Sequence, residues 1–433
     1  MARKRQTYRN LKPLKEAQEI FFTRFQGRIM PAETVPVREA LHRLLVEPVK
    51  ALRSVPAYNA SAVDGMAVQS SSTFSAFPET PVFLSTGSEA IQVDTGDPLP
   101  EGTDAGVMIE KVDISGDRCE IRESVYPWQN VRKTGEDIVK GEILLPAHHR
   151  IRAYDQGALL AAGVLSVRVF RKPRVLIIPS GDEIVRPEEA RDPLKPGVIL
   201  EVNGQVLSSM VNECGAESVL SSIVEDDPGK ISEAIIEGLE SEYDLILTIA
   251  GSSAGTEDFT PNVLAQLGEL LVHGITVMPG KPTLLAAAKN KPVVGIPGYP
   301  VSAVVSFREF VRPLLFHMQG LKSPEPEKID VVMGRKRPSK PGLEEHVRVI
   351  LGEVNGRNIA IPLSGGAGMM TSLVRADGIL RIPPQISGYS ENEETSVELL
   401  TPKQQLRDRL LVIGSHDLTI DLLASAVKER SEG

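Results

Sequence analysis

The chain has 433 residues, of which 41% are apolar and 24% charged, and its formal net charge is −9. These values are typical of a soluble protein of about two to four domains, and an acidic chain is not expected to bind nucleic acid through bulk charge. Its two cysteines, Cys119 and Cys214, are too few for a disulfide framework or a cysteine-based zinc site. Because no apolar run approaches the roughly 20 residues of a membrane span and MARKRQ lacks a signal-peptide core, we predict a cytoplasmic protein without a membrane partner.

The N-terminal part of the chain combines helical and β patterns. Segments 13–27 and 36–46 carry apolar residues at helical spacing, and we predict a helix at each. Short β-rich runs then alternate with Gly, Pro, Asp and Ser, which indicates a small β domain, and a strand and a helix follow it. We therefore predict that a discontinuous helical domain, residues 8–49 and 140–172, carries an inserted β domain of residues 50–139.

The rest of the chain contains three segments with different secondary-structure patterns. Residues 173–325 alternate apolar strands with helices, which predicts a three-layer αβα domain around a parallel sheet. Residues 326–405 return to strands and are predicted as a C-terminal β domain. Residues 406–433 indicate one strand, LLVIGS, and a helix from Asp417. Because a lone strand and helix cannot bury their own apolar faces, we predict that they begin a truncated further α/β domain.

Small, polar and charged residues follow the predicted strands of the αβα domain. Ligands of open parallel sheets bind beyond the carboxyl ends of the strands. Glycines allow close backbone approach there, hydroxyls and lysine bind phosphate oxygens, and carboxylates hold a divalent cation or accept hydrogen bonds from a polar heterocycle. The candidates are Ser180, Gly181, Asp182, Glu183, Gly251, Ser252, Ser253, Gly255, Asp258, Gly280, Lys281, Pro297, Gly298, Pro300 and Ser302.

Each of these motifs also has a structural interpretation. GDE after a strand is often a turn with a helix cap, PGYP alone is more often a rigid loop, and AGSSAG is no Walker A loop because no GK[ST] follows. Asp64, which lies among small and apolar residues in SAVDGMAV, could be a turn aspartate. His148 and His149 are predicted to be surface or interface residues, because no cluster of acids or cysteines accompanies them. A functional site is favoured because three strand ends of the same sheet carry the same combination of small residues and carboxylates.

At these motifs the chain resembles the molybdopterin molybdenumtransferase family, called MoeA in bacteria and the gephyrin E domain in animals. The resemblance runs from residue 8 to about residue 403. No single motif is specific for the family, but the occurrence of all of them in the family's order is specific. In this chain they are SAVDGMA, TGDPLPEGTDAGV, PSGDEI, AGSSAGTED, VMPGKP, IPGYPVS and GGAGMMTSLVRADGI.

The resemblance implies an elongated multidomain α/β plus β protein with the four domains given above. It implies a homodimer in which the αβα domain of one protomer and the inserted domain of the other build each site. The implied reaction belongs to molybdenum cofactor biosynthesis: a transferase inserts molybdate into adenylylated molybdopterin, releases AMP and needs Mg²⁺. Molybdopterin adenylyltransferase and apo-molybdoenzymes are the implied partners.

The resemblance also assigns roles to residues. It implies catalytic roles for Asp64, Glu183 and Asp258, with Asp64 and Asp258 as metal ligands. Ser61 and Thr95 join the strand-end residues above in binding the cofactor, where Lys281 neutralises an anionic oxygen. Asp64 would act across the dimer interface, near molybdate or the pyrophosphate.

Several residues depart from the family pattern. Ala250 replaces a glycine, Met278 replaces a lysine and Tyr299 replaces an asparagine. These changes leave open a tungstate-specific insertase, or a non-catalytic molybdopterin-binding or scaffolding protein of the same fold. A nucleotide-hydrolysing relative with only the αβα domain would leave residues 50–140 unexplained. The tail LLVIGSHDLTIDLLA resembles the start of a periplasmic-binding-protein-like domain that some members carry, which implies a truncated chain or one half of a fusion.

Overall fold

The computed structural model describes residues 11–249, 260–406 and 418–431. The chain divides into two compact units. The small unit is residues 30–171, and the large unit combines residues up to 29 with those from 172 onward. Helix α1 (Leu14–Phe25) belongs to the large unit. In the described part of the chain, no helix is long and apolar enough to cross a membrane.

The small unit is mostly β structure. Strand β4 lies between β6 and β7, and β9 lies between β5 and β8, all in antiparallel pairing. Strand β1 pairs with β12, so the two ends of the unit are adjacent. In chain order the elements are β1 (Ala32–Pro36), β2 (Val49–Lys50), β3 (Ala60–Ser61), β4 (Gly65–Val68), β5 (Val82–Ser85), β6 (Ala90–Val93), β7 (Ala105–Met108), β8 (Val112–Ser115), β9 (Arg118–Ile121), β10 (Val131–Arg132), β11 (Ile143–Leu145), α2 (Ala153–Ala161) and β12 (Ser166–Phe170).

The predicted helix over 36–46 is wrong. Only a 3-10 turn forms, at Val37–Glu39, and His42 has a left-handed backbone with φ of 65° that ends any helical path. Leu44 and Leu45 instead form β-bridges, and both are buried. The apolar spacing of this segment therefore reflects burial of a compact irregular segment, not a helix.

His149 is half-buried and has one acidic neighbour. Its Nε2 lies 2.7 Å from Oδ2 of Asp155, a buried carboxylate in the first turn of α2. Arg152 hydrogen-bonds the same carboxylate and is the main cause that holds the pKa of Asp155 well below its usual range, against the effect of burial. His149 and Asp155 are six residues apart in sequence, and the turn before α2 brings the histidine next to the start of the helix.

The large unit begins with a mixed six-stranded sheet of order β16-β13-β17-β21-β20-β18. Its first four strands are parallel, as predicted, but β20 pairs antiparallel with both β21 and β18. The elements of this part are β13 (Arg174–Pro179), β14 (Ile184–Val185), β15 (Ile199–Leu200), α3 (Asn203–Glu213), β16 (Glu217–Leu220), α4 (Pro228–Glu240), β17 (Leu245–Ile249), α5 (Thr260–Leu267), β18 (Glu269–His273), β19 (Val277–Met278), β20 (Leu284–Ala288), β21 (Lys291–Ile296), α6 (Pro300–Ser306) and α7 (Arg312–Met318).

Helices cover both faces of this sheet. One apolar core joins α4 and α5 to alternate residues of the strands, such as Leu176, Ile178 and Ile246. Helix α3 packs against β13 and β16, and α6 against β21. Since successive strand residues point to opposite faces, these two helices cover the buried residues Val175 and Ile177. Helices therefore lie on both faces of this sheet.

Five of the remaining strands of the large unit form a small closed barrel. Strands β24, β25, β22, β28 and β26 follow one another around it, and the pairing of β24 with β26 closes the ring. Four of these strands correspond to apolar runs of the sequence, KIDVVMG, HVRVILGEV, RNIAIPL and DGILRIP, whereas β28 has no such run. The elements are β22 (Lys328–Met333), β23 (Arg337–Pro338), β24 (Glu344–Val354), β25 (Arg357–Pro362), α8 (Thr371–Val374), β26 (Gly378–Ile382), β27 (Gly388–Tyr389), β28 (Glu394–Leu399) and, in the tail, α9 (Leu418–Ser431).

A π-helical turn, Phe307–Val311, joins α6 to α7 and binds α1. Pro313 has no N–H to donate to the carbonyl of Glu309, and the side chain of Gln18 donates to that carbonyl at 3.2 Å instead. The rings of Phe21 and Phe310 pack edge to face at 6.1 Å. Helix α1 is thus held by a hydrogen bond to a carbonyl that Pro313 cannot bind.

A buried ionic cluster links this turn to the barrel. Arg381 of β26 contacts Glu309 at 2.5 Å, Glu398 at 2.7 Å and Glu344 at 3.3 Å. Arg308 contacts Glu398 at 3.3 Å. Burial opposes the charge of Glu344, but hydrogen bonds and charge from a neighbouring histidine and from Arg381 hold its pKa below the usual value. The barrel and the α/β part of the large unit are therefore joined by mutually neutralising buried charges.

Candidate functional site

Asp64 is exposed in the turn between β3 and β4. Its Oδ1 accepts hydrogen bonds from the backbone N–H of Thr95 at 2.7 Å and from the Thr95 hydroxyl at 2.8 Å. These bonds lower the pKa of Asp64, so the carboxylate is ionised at neutral pH. Among the residues that the structure describes, no donor reaches its Oδ2. This oxygen is available to a ligand or a water molecule.

The residues around Asp64 fix its turn. Ser61 is fully buried, and its hydroxyl donates to the carbonyl of Val63 at 2.7 Å, so it shapes the turn. At position 65 an added Cβ would lie 1.9 Å from the carbonyl oxygen of Val107 on β7, which explains the glycine after Asp64. The backbone carbonyl of Asp64 accepts from Ile109 N at 2.9 Å. The sequence SAVDG therefore presents one carboxylate from a rigid edge.

The end of β13 is held by hydrogen bonds to neighbouring strand ends. Both the N–H and the hydroxyl of Ser180 donate to the carbonyl of Ile249 at 3.1 Å. Gly181 N donates to Val224 O at 3.1 Å, and Oδ1 of Asp182 accepts from Asp226 N at 3.1 Å. Ser180 and Asp182 thus have structural partners, and they place the next residue of the motif at the carboxyl edge of the sheet.

That next residue, Glu183, is exposed. Gly181 has φ of 149°, a backbone conformation that residues with a side chain rarely adopt, which accounts for the glycine before Asp182 and Glu183. Within the described ranges the Glu183 carboxylate forms no ion pair or hydrogen bond. Glu183 is therefore an exposed carboxylate at the edge of this sheet that is open to a ligand.

The turn after β19 is anchored to helix α6. The Thr283 hydroxyl donates to Gly280 O at 2.7 Å and lies 2.6 Å from the Ser306 hydroxyl, which donates to Ser302 O at 2.9 Å. Lys281, which lies between Gly280 and Thr283 in the sequence, is half-buried. The MPGKP and PVS motifs therefore form one hydrogen-bonded structure.

The loop after β21 contacts both α3 and the late glycine-rich motif. The Gly298 carbonyl accepts from Asn203 Nδ2 at 2.6 Å. Val301 N, in the first turn of α6, donates to Ala367 O at 3.0 Å. An added Cβ on Gly368 would lie 3.5 Å from the ring of Tyr299, the residue that departs from the family pattern. Pro297, Gly298 and Pro300 are thus placed beside the late motif.

Two residues that sequence reasoning missed organise this region. Arg348 is buried, and it donates to Ser372 Oγ at 3.1 Å and to Gly365 O at 2.8 Å, so it holds the late motif in place. Burial lowers its pKa. Asn203 bridges α3 to the Gly298 loop. Arg348 follows the pattern of a strand and Asn203 that of a helix start, and neither pattern shows their distant partners.

Five candidates, Gly251, Ser252, Ser253, Gly255 and Asp258, lie outside the described residues, as does the predicted strand LLVIGS. Asp64 belongs to the small unit and Glu183 to the large one. In the described ranges, no group of three His, Cys, Asp or Glu residues could hold a metal ion. The described carboxylates alone therefore do not assemble a magnesium site.

The fold and the strand-end loops define a class: a multidomain protein with a three-layer α/β domain for binding a ligand and a small barrel after it. Three family descriptions match the chain. They are the MoeA N-terminal region (domain I and II) at residues 12–163, a probable molybdopterin binding domain at 176–317, and the MoeA C-terminal region (domain IV) at 330–400.

Relatives match over nearly the whole chain. A putative molybdopterin biosynthesis protein of Methanocaldococcus jannaschii is 32% identical over 90% of this chain and 99% of its own length. A molybdopterin molybdenumtransferase of Bacillus subtilis is 29% identical over 85% of this chain and 90% of its own length. Two crystal structures of the molybdopterin biosynthesis MoeA protein from Pyrococcus horikoshii match with TM-scores of 0.73 and 0.67, at 32% and 29% identity; each covers 90% of this chain, and 99% and 100% of its own. The chain belongs to the MoeA family, and its function lies in molybdenum cofactor biosynthesis, as a transferase.

Proposed function

We propose that the chain inserts molybdate into adenylylated molybdopterin and releases AMP. The observation that carries this proposal is the ionised, open carboxylate of Asp64. The match of residues 176–317, which include the strand-end loops, to a probable molybdopterin binding domain supports it. Glycines, hydroxyls and Lys281 in those loops suit the phosphates of an adenylylated ligand.

The chemistry of Asp64 follows from its hydrogen bonds. AMP leaves when the phosphoanhydride bond breaks and a water oxygen joins one phosphate. Because the pKa of Asp64 is lowered, its carboxylate is a weak base, and its role is to orient that water through Oδ2. Glu183, open at the edge of the sheet, is the second carboxylate of the site, and Asp258 completes the proposed set.

Reconstitution of an apo-molybdoenzyme with molybdopterin, ATP, the adenylyltransferase, Mg²⁺ and molybdate tests the function. We expect wild-type chain to restore activity and Asp64→Asn to lose at least about a hundredfold, the usual scale for a positioned proton-transfer or water-orienting group. The exposed carboxylate Asp117, in a turn of the same unit, supplies the control: Asp117→Asn should remain active. Equal activity of Asp64→Asn and wild type would remove Asp64 from the mechanism.

We further propose that the site is shared across a homodimer, with Asp64 acting on ligand bound by the other protomer. Neither Asp64→Ala nor Glu183→Ala homodimers should then insert metal. A mixed dimer with one chain of each should regain one of two sites, since one site collects both lesions and the other none. Background activity in verified mixed dimers would show that the two residues act within one chain.

A non-catalytic molybdopterin-binding or scaffolding role is the second candidate. The departures Ala250, Met278 and Tyr299 favour it, and the Tyr299 ring packs beside Gly368 in the structure. Binding of molybdopterin without turnover would support it. Turnover with tungstate and not molybdate would instead support a tungstate-specific insertase.

The remaining expectations from the resemblance are also proposals. They comprise a requirement for Mg²⁺, a cytoplasmic location, the adenylyltransferase and apo-molybdoenzymes as partners, and the start of a periplasmic-binding-protein-like domain in the tail. Chelation of divalent cations in the reconstitution assay tests the first of them. Full activity in the presence of chelator would contradict it.

A further inference from the structure

The side chain of Asn203 has one satisfied and one unsatisfied end. Its Nδ2 donates to Gly298 O at 2.6 Å. Its Oδ1 is buried and, in the part of the chain that the structure describes, has no hydrogen-bond partner. Buried polar atoms without partners are rare in folded proteins and call for a physical explanation. A ligand donor is one such explanation.

The orientation of this carboxamide is fixed by chemistry. Exchanging its oxygen and nitrogen would set Oδ1 against the Gly298 carbonyl, and two acceptors do not form a hydrogen bond. The unsatisfied atom is therefore the oxygen. It needs a donor, not an acceptor.

Local structure does not use this oxygen. An asparagine at a helix start often caps the helix by accepting from a backbone N–H. Here the first turn of α3 is served by Glu201, whose Oε1 accepts from Gly204 N at 2.7 Å. Asn203 is the first residue of α3, after the N-cap Val202, and takes no part in this cap.

The position of Asn203 lies between two loops of the candidate site. Ile199 N donates to Glu183 O at 2.8 Å, which ties the segment before α3 to the loop after β13. Asn203 itself binds Gly298, in the loop after β21. Strands β13 and β21 are the two neighbours of β17 in the sheet. Asn203 therefore spans the carboxyl edge where such sheets bind ligands.

We propose that Asn203 determines specificity by accepting, at Oδ1, an N–H of the substrate's nitrogen heterocycle. This inference rests on the proposed function and deepens it. Pterin and adenine, the two heterocycles of adenylylated molybdopterin, both carry such N–H groups. A site with a buried acceptor rejects analogues that lack the matching donor, because the acceptor then stays unpaired.

Two substitutions separate the oxygen from the nitrogen of Asn203. Asn203→Leu keeps the approximate volume and removes both hydrogen-bonding functions, whereas Asn203→Asp keeps an acceptor and loses the donor to Gly298. Asn212→Leu, at an exposed asparagine of the same helix, is the matched control. Calorimetric titration with molybdopterin and, separately, with AMP gives the dissociation constants, and thermal unfolding shows that each variant is folded.

For one of the two probes, we expect Asn203→Leu to weaken binding roughly tenfold, the scale of one buried hydrogen bond. Asn203→Asp should stay within about threefold of wild type, and Asn212→Leu should match wild type. Loss with molybdopterin identifies the pterin as the donor, and loss with AMP identifies the adenine. Equal weakening by Leu and Asp would show that the Gly298 bond matters instead, and unchanged binding in all variants would also overturn the inference. If the wild-type chain bound neither probe, the proposed function would itself fail.

Discussion

Removing Arg381 should destabilise the large unit by breaking its buried ionic cluster. Arg381→Met keeps most of the apolar stem but leaves Glu309 and Glu398, each with a side chain 7% exposed, without their closest cation. Loss of one partner of a buried ion pair costs about 3–5 kcal/mol. Because 31% of the Arg381 side chain is exposed and solvent screens it, we expect about 3 kcal/mol. The large unit exceeds 250 residues, so this loss lowers its melting temperature by roughly 5 °C.

The pH dependence of this loss has a defined sign. The folded pKa of Glu344 is depressed, so its contribution to stability is present above its unfolded pKa of about 4.3 and is lost as the pH falls through the folded value. Without Arg381, Glu344 loses one of the charges that hold its pKa down. The difference in melting temperature between wild type and Arg381→Met should therefore narrow as the pH falls below about 5.

Calorimetry of the full chain at several pH values measures both effects. Arg375→Met, at an exposed arginine, controls for the loss of a surface charge and should change the melting temperature little. Arg381→Met with Glu309→Gln should recover part of the loss, since one unpaired charge is removed. A pH-independent deficit, or no recovery in the double variant, would refute the charge-based reasoning.

Three further predictions concern other parts of the chain. Gly65→Ala should lower the melting temperature of the small unit by several degrees, because its Cβ would meet Val107 O at 1.9 Å; an unchanged transition would show that the strand can shift. Asp155→Asn should cost about 1.5–3 kcal/mol at neutral pH through its bonds to Arg152. Because the folded pKa of Asp155 is depressed, that difference should disappear as the pH falls well below the unfolded value of about 3.9, and a constant difference would exclude ionisation as its cause. Deleting residues 408–433 should change melting temperature and activity little, since leucines of α9 are exposed; loss of the dimer would contradict this.

The sequence allowed much of the large unit to be predicted, because parallel strands and helix ends carry local signals. Apolar runs marked β13, β17 and β21, and Gly215, with φ of 78°, does follow the end of α3. The missed strands lack such signals. β20 is the alanine-rich LLAAA, and β28 is ETSVEL, in which only Val397 and Leu399 are apolar. Their strand form depends on neighbours distant in the chain.

The candidate site was predictable in place but not in role. Strand-end composition located Glu183 and the Gly298 loop. It could not show that the hydroxyls of Ser61 and Ser180 are used internally, since their acceptors are backbone carbonyls set by the fold. Nor could it select Asn203, whose carbonyl partner lies 95 residues further along. Hydrogen bonds between distant residues are the information that a local pattern lacks.

The packing of α1 sets an order of events during synthesis. Phe21 leaves the ribosome early, but its partner Phe310 follows 289 residues later (310 − 21). At roughly 5–20 residues per second, that interval lasts roughly 15–60 s. The small unit, whose ends already meet in the β1–β12 ladder, can fold within it, while the apolar face of α1 waits in water or on a chaperone. The first helix of the chain can therefore complete its packing only late in synthesis.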